Sequence, residues 1–257
     1  MRKNQQWVAF YTIVRKEVVR FVRIWPQTLV PPVISQTLYF LIFGQFIGSQ
    51  ITDINGVSYM AFIIPGLVMM SVINNSFSNV VSSFYGAKFQ RSIEELLISS
   101  TSNWIIIAGY ALGGVLRGVI VGVLVFVVSI FFTHPVVHHL GLIILFMFLT
   151  SVVFALGGLL NATFAKSFDD ISIFPTFVLL PLTYLGGVFY SIHSLPPAWQ
   201  TISKLNPILY LVNGFRYGFY GVSDVSVGLS LFILVGFTIL LVAINMYILN
   251  KGIGLKS

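Results

Sequence analysis

Residues 140–164 read LGLIILFMFLTSVVFALGGLLNATF, an apolar run that carries no charged side chain. A helix needs about 20 mostly apolar residues to cross the hydrocarbon core of a bilayer. The run therefore predicts one membrane-spanning helix. It lies inside a longer uncharged stretch between Arg117 and Lys166. That stretch is long enough for two spans, and the turn-like residues 133–139, which contain Pro135, divide them.

The composition of the whole chain indicates the same environment. Only 8% of the 257 residues are charged, whereas 57% are hydrophobic. Soluble domains carry about 25% charged residues, so this chain cannot cover itself with polar groups in water. It contains no cysteine, which excludes disulfides, thiolate metal sites and a cysteine nucleophile.

Charged residues mark where the chain leaves the membrane. The uncharged runs between them predict six spans, near 27–48, 58–82, 103–132, 140–164, 171–190 and 226–249. The predicted fold is therefore all-α, a polytopic membrane protein formed by residues 1–257 as a single transmembrane domain. An even number of spans places both termini on one side of the bilayer.

The distribution of Lys and Arg predicts which side that is. The opposite side carries only Lys204 and Arg216, and Arg117 lies within a span. The side of the termini carries eleven basic residues: Arg2, Lys3, Arg15, Lys16, Arg20, Arg23, Lys88, Arg91, Lys166, Lys251 and Lys256. Cytoplasmic loops are enriched in Lys and Arg, so we expect both termini in the cytoplasm.

The first 25 residues predict a different kind of helix. Aromatic and aliphatic residues recur at steps of three or four, at Trp7, Phe10, Val14, Val18, Phe21 and Trp25, and the opposite face carries Lys16, Arg20 and Arg23. This pattern is typical of a helix that lies in the membrane interface. The alternative is a basic flank that only fixes topology.

The loop at 86–102 has helical character. Ser92 followed by Glu95 fits a capping box, and Ile93, Leu96 and Leu97 form a small apolar face. From the residues alone, docking of this face on a partner and folding back onto the chain are equally good interpretations.

Residues 191–222 interrupt apolar sequence with Pro196, Pro197, Asn206 and Pro207. Proline breaks helices, and the backbone groups that it frees need partners in a membrane. We expect two short external helices that dip partly into the bilayer, a re-entrant hairpin. An ordinary external loop is the alternative.

Span three carries two further signals. Gly114, Gly118 and Gly122 repeat every fourth residue, which predicts close helix packing. Arg117 is the one clear charge inside a predicted span. It is expected to contact an anionic substrate or form an interhelical bond, or else to snorkel to the interface.

Several chemistries have no motif in the chain. A G-x-x-x-x-G-K-[ST] phosphate loop is missing, so no means of hydrolysing a nucleotide is visible. No metal site is expected, because the His138-His139 pair has no carboxylate near it in sequence.

A secondary transporter or channel remains an alternative, although no acid lies deep in a span. Asp169, Asp170 and Lys166 are the only dense polar set for a membrane enzyme. A non-transporting assembly subunit also stays open.

Six motifs in a fixed order carry a family resemblance: Ile64-Pro-Gly, Arg91-Ser-Ile-Glu-Glu-Leu-Leu, Pro181-Leu-Thr-Tyr-Leu-Gly-Gly-Val-Phe-Tyr, Leu195-Pro-Pro-Ala-Trp, Asn206-Pro-Ile-Leu-Tyr and Gly214-Phe-Arg-Tyr. Over nearly its whole length the chain resembles ABC-2 type transporter permeases. The resemblance implies a bacterial inner (plasma) membrane protein that forms a homodimer and pairs with ABC ATP-binding subunits. ATP and Mg would be bound by those subunits and no cofactor by this chain, which would be neither an enzyme nor a nucleic-acid binder.

The resemblance also assigns sites, and it favours docking for the loop at 86–102. Contacts to the ATPase would come from a coupling helix over residues 88–98, namely Lys88, Arg91, Ile93, Glu94, Glu95, Leu96 and Leu97. The pathway or its gate would involve Tyr39, Phe43, Phe77, Arg117, Tyr184, Phe189 and Tyr190. The external hairpin, with Pro196, Pro197, Asn206, Pro207 and Arg216, would close the pathway. Aromatic, neutral walls suit a hydrophobic or amphipathic cargo.

Overall fold

A computed structural model describes residues 3–51, 53–54, 56–99 and 101–254. Arg2 and Lys256, which were counted among the basic residues, lie outside this part of the chain, as does the side chain of Lys3. The α-helices are α1 (Lys3–Arg23), α2 (Trp25–Thr28), α3 (Val30–Tyr39), α4 (Tyr59–Phe89), α5 (Ser92–Ile98), α6 (Asn103–Ser129), α7 (Leu140–Phe164), α8 (Asp170–Phe174), α9 (Leu180–Tyr184), α10 (Pro197–Lys204), α11 (Pro207–Tyr220) and α12 (Val227–Lys251).

The all-α polytopic fold is confirmed. Five helices among the described residues are long and apolar enough to cross a membrane: Trp25–Gln50, Tyr59–Phe89, Asn103–Ser129, Leu140–Phe164 and Val227–Lys251. The first of them continues from α3 through a π-helical segment at Phe40–Ile47 and a short 3₁₀ turn at Gly48–Gln50. In the same part of the chain, β-structure is limited to one isolated bridge between Ile54 and Val57.

The predicted fifth span is shorter than expected. The apolar helix Asp170–Tyr184 consists of α8, a π-helical turn at Pro175–Leu179 and α9. Fifteen residues at 1.5 Å each cover only about 22 Å of a hydrocarbon core of about 30 Å. The chain then turns at Gly187, whose φ is 72°. In this turn the carbonyl of Gly187 accepts a hydrogen bond from a side chain described below. Such a bond takes the place of the helical hydrogen bond that a backbone group needs within a membrane.

Helix α4 forms the centre of the bundle, and most of its residues are buried. The glycines of α6 allow this packing, as the sequence predicts. A Cβ atom at Gly114 would lie 2.6 Å from Val80 Cγ2, and one at Gly122 would lie 2.6 Å from Val72 Cγ2. A Cβ atom at Gly118 would collide with Ser76 Oγ. The backbones of α4 and α6 therefore meet along one glycine-lined seam.

Helix α1 packs on the bundle through a side that shares Phe21 with its predicted apolar stripe. Ile13, Glu17 and Phe21 are buried, whereas Trp7 in α1 and Trp25 at the start of α2 are 68% and 55% exposed. The buried side therefore mixes two apolar residues with one acid. The outer aromatic residues remain free to contact a surrounding medium.

Candidate functional site

Helix α5 lies directly beyond the end of α4, at what we call the α5 end of the bundle. Two residues, Gln90 and Arg91, connect the helices, and Arg91 has a left-handed backbone with φ of 59°. The predicted capping box is wrong, because Ser92 is the first residue of the helix and its Oγ donates to the carbonyl of Ala87. The sharp turn sets the direction of α5 relative to α4.

The apolar face of α5 folds back onto the chain. Ile93 is buried, and Leu96 and Leu97 are half-buried against the same core cluster. These contacts fit the interpretation that the apolar face folds back onto the chain, and not the contact of Ile93, Leu96 and Leu97 with a partner that the resemblance implies. Glu94 and Glu95 are exposed instead.

Two further side chains at this end, one at the end of α4 and one in α5, are exposed and were not among the predicted contact residues. Ile98 is 86% exposed, and Phe89 is 64% exposed. The ring of Phe89 contacts that of Phe168 at 5.1 Å, and Phe168 is itself 54% exposed. With Glu94 and Glu95, these residues form what we call the α5 face: Phe89, Glu94, Glu95, Ile98 and Phe168. It combines two acids with three exposed apolar groups.

Lys88, which was predicted to contact the ATPase, forms hydrogen bonds within the chain and is not part of the α5 face. Its Nζ donates to the carbonyls of Thr163 and Ala165, each at 2.8 Å. A lysine at a helix C-terminus satisfies carbonyls that lack an intrahelical partner. Lys88 therefore caps α7 and fixes it against the end of α4, which the sequence did not predict.

A buried polar network joins α1 to the bundle. The Oγ of Ser83 donates to the carboxylate of Glu17, and Arg20 lies 3.1 Å from the other carboxylate oxygen. Arg20 also donates to the Oδ1 of Asn79 at 2.8 Å and to its carbonyl at 2.9 Å. The network therefore connects α1 firmly to α4. Sequence reasoning missed Glu17, although it is the only acid among the first 52 residues.

Arg117 is held between helices. Its Nη2 donates to the Oδ1 of Asn75 at 3.2 Å and lies 3.4 Å from the carbonyl of Thr28. The arginine thus bonds α6 to α4 and to the start of the first span. Of the expected roles, the interhelical bond fits this geometry, and snorkelling does not.

Four of the six aromatic pathway residues lie together at the end of the bundle opposite α5. The hydroxyl oxygens of Tyr39 and Tyr184 are 2.8 Å apart. The ring of Phe189 lies 4.7 Å from Phe43 and 5.7 Å from Tyr184. This aromatic cluster (Tyr39, Phe43, Tyr184 and Phe189) connects the first span, α9 and the turn after α9.

The other two aromatic residues lie elsewhere. Phe77 is buried in the middle of α4, and its ring stacks on Phe174 at 5.5 Å. Tyr190 is half-buried in the segment after Phe189. Neither residue makes a ring contact with the aromatic cluster among the described side chains.

The segment predicted as an external hairpin contains two helices, α10 and α11. Pro197 and Pro207 each occupy the first helical position, where proline is favoured. Pro196 precedes α10 as its N-cap residue. The side chain of Asn206 caps α11 by accepting from the N–H of Ile208, and its amide donates to the carbonyl of Leu182 at 2.6 Å.

Arg216 is not the solvated external charge that the topology count assumes. It is 1% exposed, and its guanidinium lies 3.8 Å from the centre of the Phe62 ring. Its Nε donates to the carbonyl of Phe62 and its Nη2 to that of Gly187. Arg216 is therefore a buried arginine that ties α11 to α4 and to the turn after α9, whereas Arg117 is half-buried.

Asp224 also stabilises this end, although no sequence pattern had singled it out. Its carboxylate accepts from the Oγ of Ser191 at 2.7 Å and from the N–H of Ile192 at 2.9 Å. Its own N–H donates to Asn213 Oδ1. The carboxylate thus connects the start of the hairpin to the segment after it.

Asp170, near Lys166, has a local structural role. The carboxylate of Asp170 accepts from the backbone N–H groups of Lys166 and Ser167, at 2.8 and 3.0 Å. These bonds close the turn between α7 and α8. The arrangement gives the membrane-enzyme alternative no support, because the carboxylate is already used by the turn.

Comparison with known proteins agrees with this architecture. Residues 8–220 match the ABC-2 type transporter family. The chain is 57% identical over 251 residues, 98% of both chains, to the inner membrane transport permease YadH of Escherichia coli K12. It is 23% identical over 236 residues to nodulation protein J of Rhizobium meliloti strain 1021, covering 88% of this chain and 85% of the relative. A family match over most of the chain, with a relative this similar over its full length, shows that the protein is a multi-pass membrane permease of the ABC-2 type transporter family.

Proposed function

We propose that the chain is the membrane-spanning subunit of an exporter driven by ATP hydrolysis on a separate ABC ATP-binding subunit. The α5 face is the observation that carries this proposal. Glu94, Glu95 and Ile98 project from a short helix that the buried Ile93 anchors to the bundle. A helix held in this way transmits the displacement of a docked protein to α4 without deforming.

The same proposal includes the orientation of the chain in the membrane and its two partners, a second copy of the chain and the ATP-binding subunit. The α5 end lies in the cytoplasm with both chain termini, where an ATPase finds its nucleotide. Two copies of the chain form the pathway, and each copy meets one ATP-binding subunit. The excess of Lys and Arg at this end supports the orientation.

The aromatic cluster is the proposed outer gate. The bond between the hydroxyls of Tyr39 and Tyr184 holds the first span against α9. ATP binding draws the two ATPase subunits together, α5 follows, and helices packed along glycine seams tilt as rigid bodies. Parting of the cluster then opens the outer side. A pathway lined by aromatic rings suits a hydrophobic or amphipathic cargo.

Charge reversal on the α5 face tests the proposal. The variant Glu94→Lys/Glu95→Lys is purified together with the ATP-binding subunit that co-purifies with the unmodified chain. Loss of that subunit and of ATP hydrolysis in proteoliposomes is expected, because like charges then meet across the contact. Asp53→Lys is the matched control, since Asp53 is an exposed acid at the opposite end of the bundle. Unchanged assembly and hydrolysis in the double variant would count against docking at α5.

A further inference from the structure

A cavity of about 440 Å³ lies between α7, α8–α9, α11 and α12, with Phe77 of α4 at its inner side. We call it the lateral slot. None of the four residues of the aromatic cluster lines it. It is therefore separate from the proposed gate and lies on the other side of the α8–α9 helix.

The slot has a closed floor and an open rim. Its floor residues Val153, Leu179 and Leu234 are buried, whereas the rim residues Phe164 and Phe237 are 53% and 39% exposed. Because the rim belongs to membrane-spanning helices, the slot opens sideways, toward the hydrocarbon that surrounds the bundle.

The lining excludes water as a stable occupant. Apart from Asn161, every lining residue is apolar, and the amide of Asn161 already donates to the carbonyl of Ile171. A buried water needs two to four polar partners, and the single side chain of Asn161 offers too few. An empty slot would lose dispersion contacts along all of its walls. An apolar occupant is therefore favoured.

The shape of the slot fits an alkyl chain. Its lining extends along α7 from Val153 to Phe164, about 16 Å at 1.5 Å per residue. Along α12 it extends from Ile233 to Leu241, about 12 Å. A narrow cavity that follows the bilayer normal over this distance suits a long, flexible acyl chain better than a compact molecule.

One end of the slot has cationic groups suited to a lipid phosphate. It ends at Phe164, and the exposed Lys166 follows two residues later. The exposed Lys251 ends α12, and a Cβ atom on the nearby Gly254 would lie 2.8 Å from the carbonyl of Thr163. The acids Asp169 and Asp170 are also close in sequence, but the carboxylate of Asp170 is bonded to backbone N–H groups.

We propose that the lateral slot binds one acyl chain of a resident glycerophospholipid, whose phosphate lies near Lys166 and Lys251. The lipid is a permanent part of the bundle and not the transported cargo. It fills the space behind α8–α9, so that this short, proline-containing helix has a packed surface on both sides.

Photolabelling tests the site. The chain is reconstituted without its ATP-binding subunit, so that no transport occurs, in vesicles that contain phosphatidylglycerol with a diazirine on one acyl chain. After illumination, adducts are mapped by mass spectrometry. We expect the slot residues of α7 and α12 to be labelled several-fold more than Phe232 and Ile239, which are exposed on the same α12 helix.

Two glycines provide a matched pair of variants. A Cβ atom on Gly157 would meet only the Phe77 ring, at 3.9 Å, so Gly157→Leu extends into the slot. Gly236 of α12 has open space around its Cβ position. We expect Gly157→Leu to lower slot labelling roughly fivefold, since the leucine occupies the volume of the chain. Gly236→Leu should leave it unchanged.

A surface variant keeps the test independent of packing. Lys166→Gln/Lys251→Gln changes only exposed side chains and is expected to reduce slot labelling at least about twofold. Labelling of the slot no stronger than that of Phe232 would overturn the proposal and would fit a slot covered by a second copy of the chain. Equal slot labelling in Gly157→Leu and the unmodified chain, or in the double lysine variant, would also overturn it.

Discussion

The guanidinium of Arg216 lies 3.8 Å from the centre of the Phe62 ring, while its Nε donates to the Phe62 carbonyl. Its Nη2 donates to the carbonyl of Gly187 at 2.7 Å. One planar cation thus connects α11, α4 and the turn after α9. Arginine is suited to this position because its donors are arranged in a rigid fork and it stacks on aromatic faces.

Replacement of Arg216 should destabilise the whole protein. Arg216→Lys keeps the charge but cannot serve both carbonyls and the ring, and Arg216→Ala removes the donor to both carbonyls and the cation that stacks on Phe62. We expect a loss of about 2–4 kcal/mol for either variant, measured as a lower thermal midpoint in detergent. Lys204→Ala, an exposed cation in the same hairpin, is the control. Equal midpoints for Arg216→Lys and the control would contradict this assignment.

The hydroxyl pair of Tyr39 and Tyr184 should control access to the outer side. Loss of a hydrogen bond worth about 1 kcal/mol changes an open–closed equilibrium about fivefold. Tyr39→Phe and Tyr184→Phe should each raise the rate at which a membrane-impermeant maleimide labels Tyr190→Cys, a half-buried position that follows the cluster in the chain. The introduced thiol is the only cysteine that the maleimide can label in the chain, because the natural sequence contains none.

The pair also predicts how the two substitutions combine. Since they remove the same bond, the double variant should label no faster than either single variant. Tyr210→Phe, which removes a bond to the carbonyl of Lys204 at the same end, should have no effect. Additive effects of Tyr39→Phe and Tyr184→Phe would show that the hydroxyls act separately.

Glu17 should be essential for the attachment of α1. Glu17→Ala removes the acceptor of Ser83 and the carboxylate beside Arg20, and we expect a loss of about 2–4 kcal/mol. Ser83→Ala added to Glu17→Ala should cost little more, since its acceptor is already gone. Thermal midpoints of both single variants and the double variant measure this. The exposed acid Asp169 gives the control Asp169→Ala, and a similar drop in that variant would argue against a specific role for Glu17.

The seam between α4 and α6 should reject even a methyl group. At Gly114 an added Cβ would lie 2.9 Å from both the Ala155 Cβ and the Ser76 carbonyl, neither of which can rotate away. Gly114→Ala is expected to cost about 1–3 kcal/mol. Gly86→Ala, in open space on α4, should instead be neutral or raise the thermal midpoint by removing a helical glycine. The reverse order of the two midpoints would refute the seam.

Five of the six predicted spans and the close packing at the α6 glycines agree with the structure, because both depend on local composition and spacing. A long uncharged apolar run is stable in the hydrocarbon core of a bilayer, and glycine at every fourth position in a membrane helix commonly allows close packing with another helix. The members of the aromatic cluster, Tyr39, Phe43, Tyr184 and Phe189, were named as gate candidates from the family resemblance and not from a pattern. Their mutual contact could not be read from the sequence, because the first span and α9 are distant in the chain.

The buried charges could not be predicted, because their partners are distant in the chain. Glu17 meets Ser83, and Arg216 meets Phe62, and no periodicity relates such positions. The burial of Ile93 was left open for a related reason. An apolar face on a short helix has the same pattern whether it packs on its own chain or on a partner.

The central claim, that the α5 face is a cytoplasmic docking surface, is tested most directly at Ile98. Ile98 and Phe131 are each 86% exposed and flank α6, whose 27 residues cover about 40 Å. In inside-out membrane vesicles, impermeant maleimide should label Ile98→Cys and leave Phe131→Cys unlabelled. The ATP-binding subunit should then slow labelling of Ile98→Cys roughly tenfold, because a covered thiol reacts only when the contact opens. Labelling of Phe131→Cys in place of Ile98→Cys, or a rate at Ile98→Cys that the subunit does not change, would contradict the account.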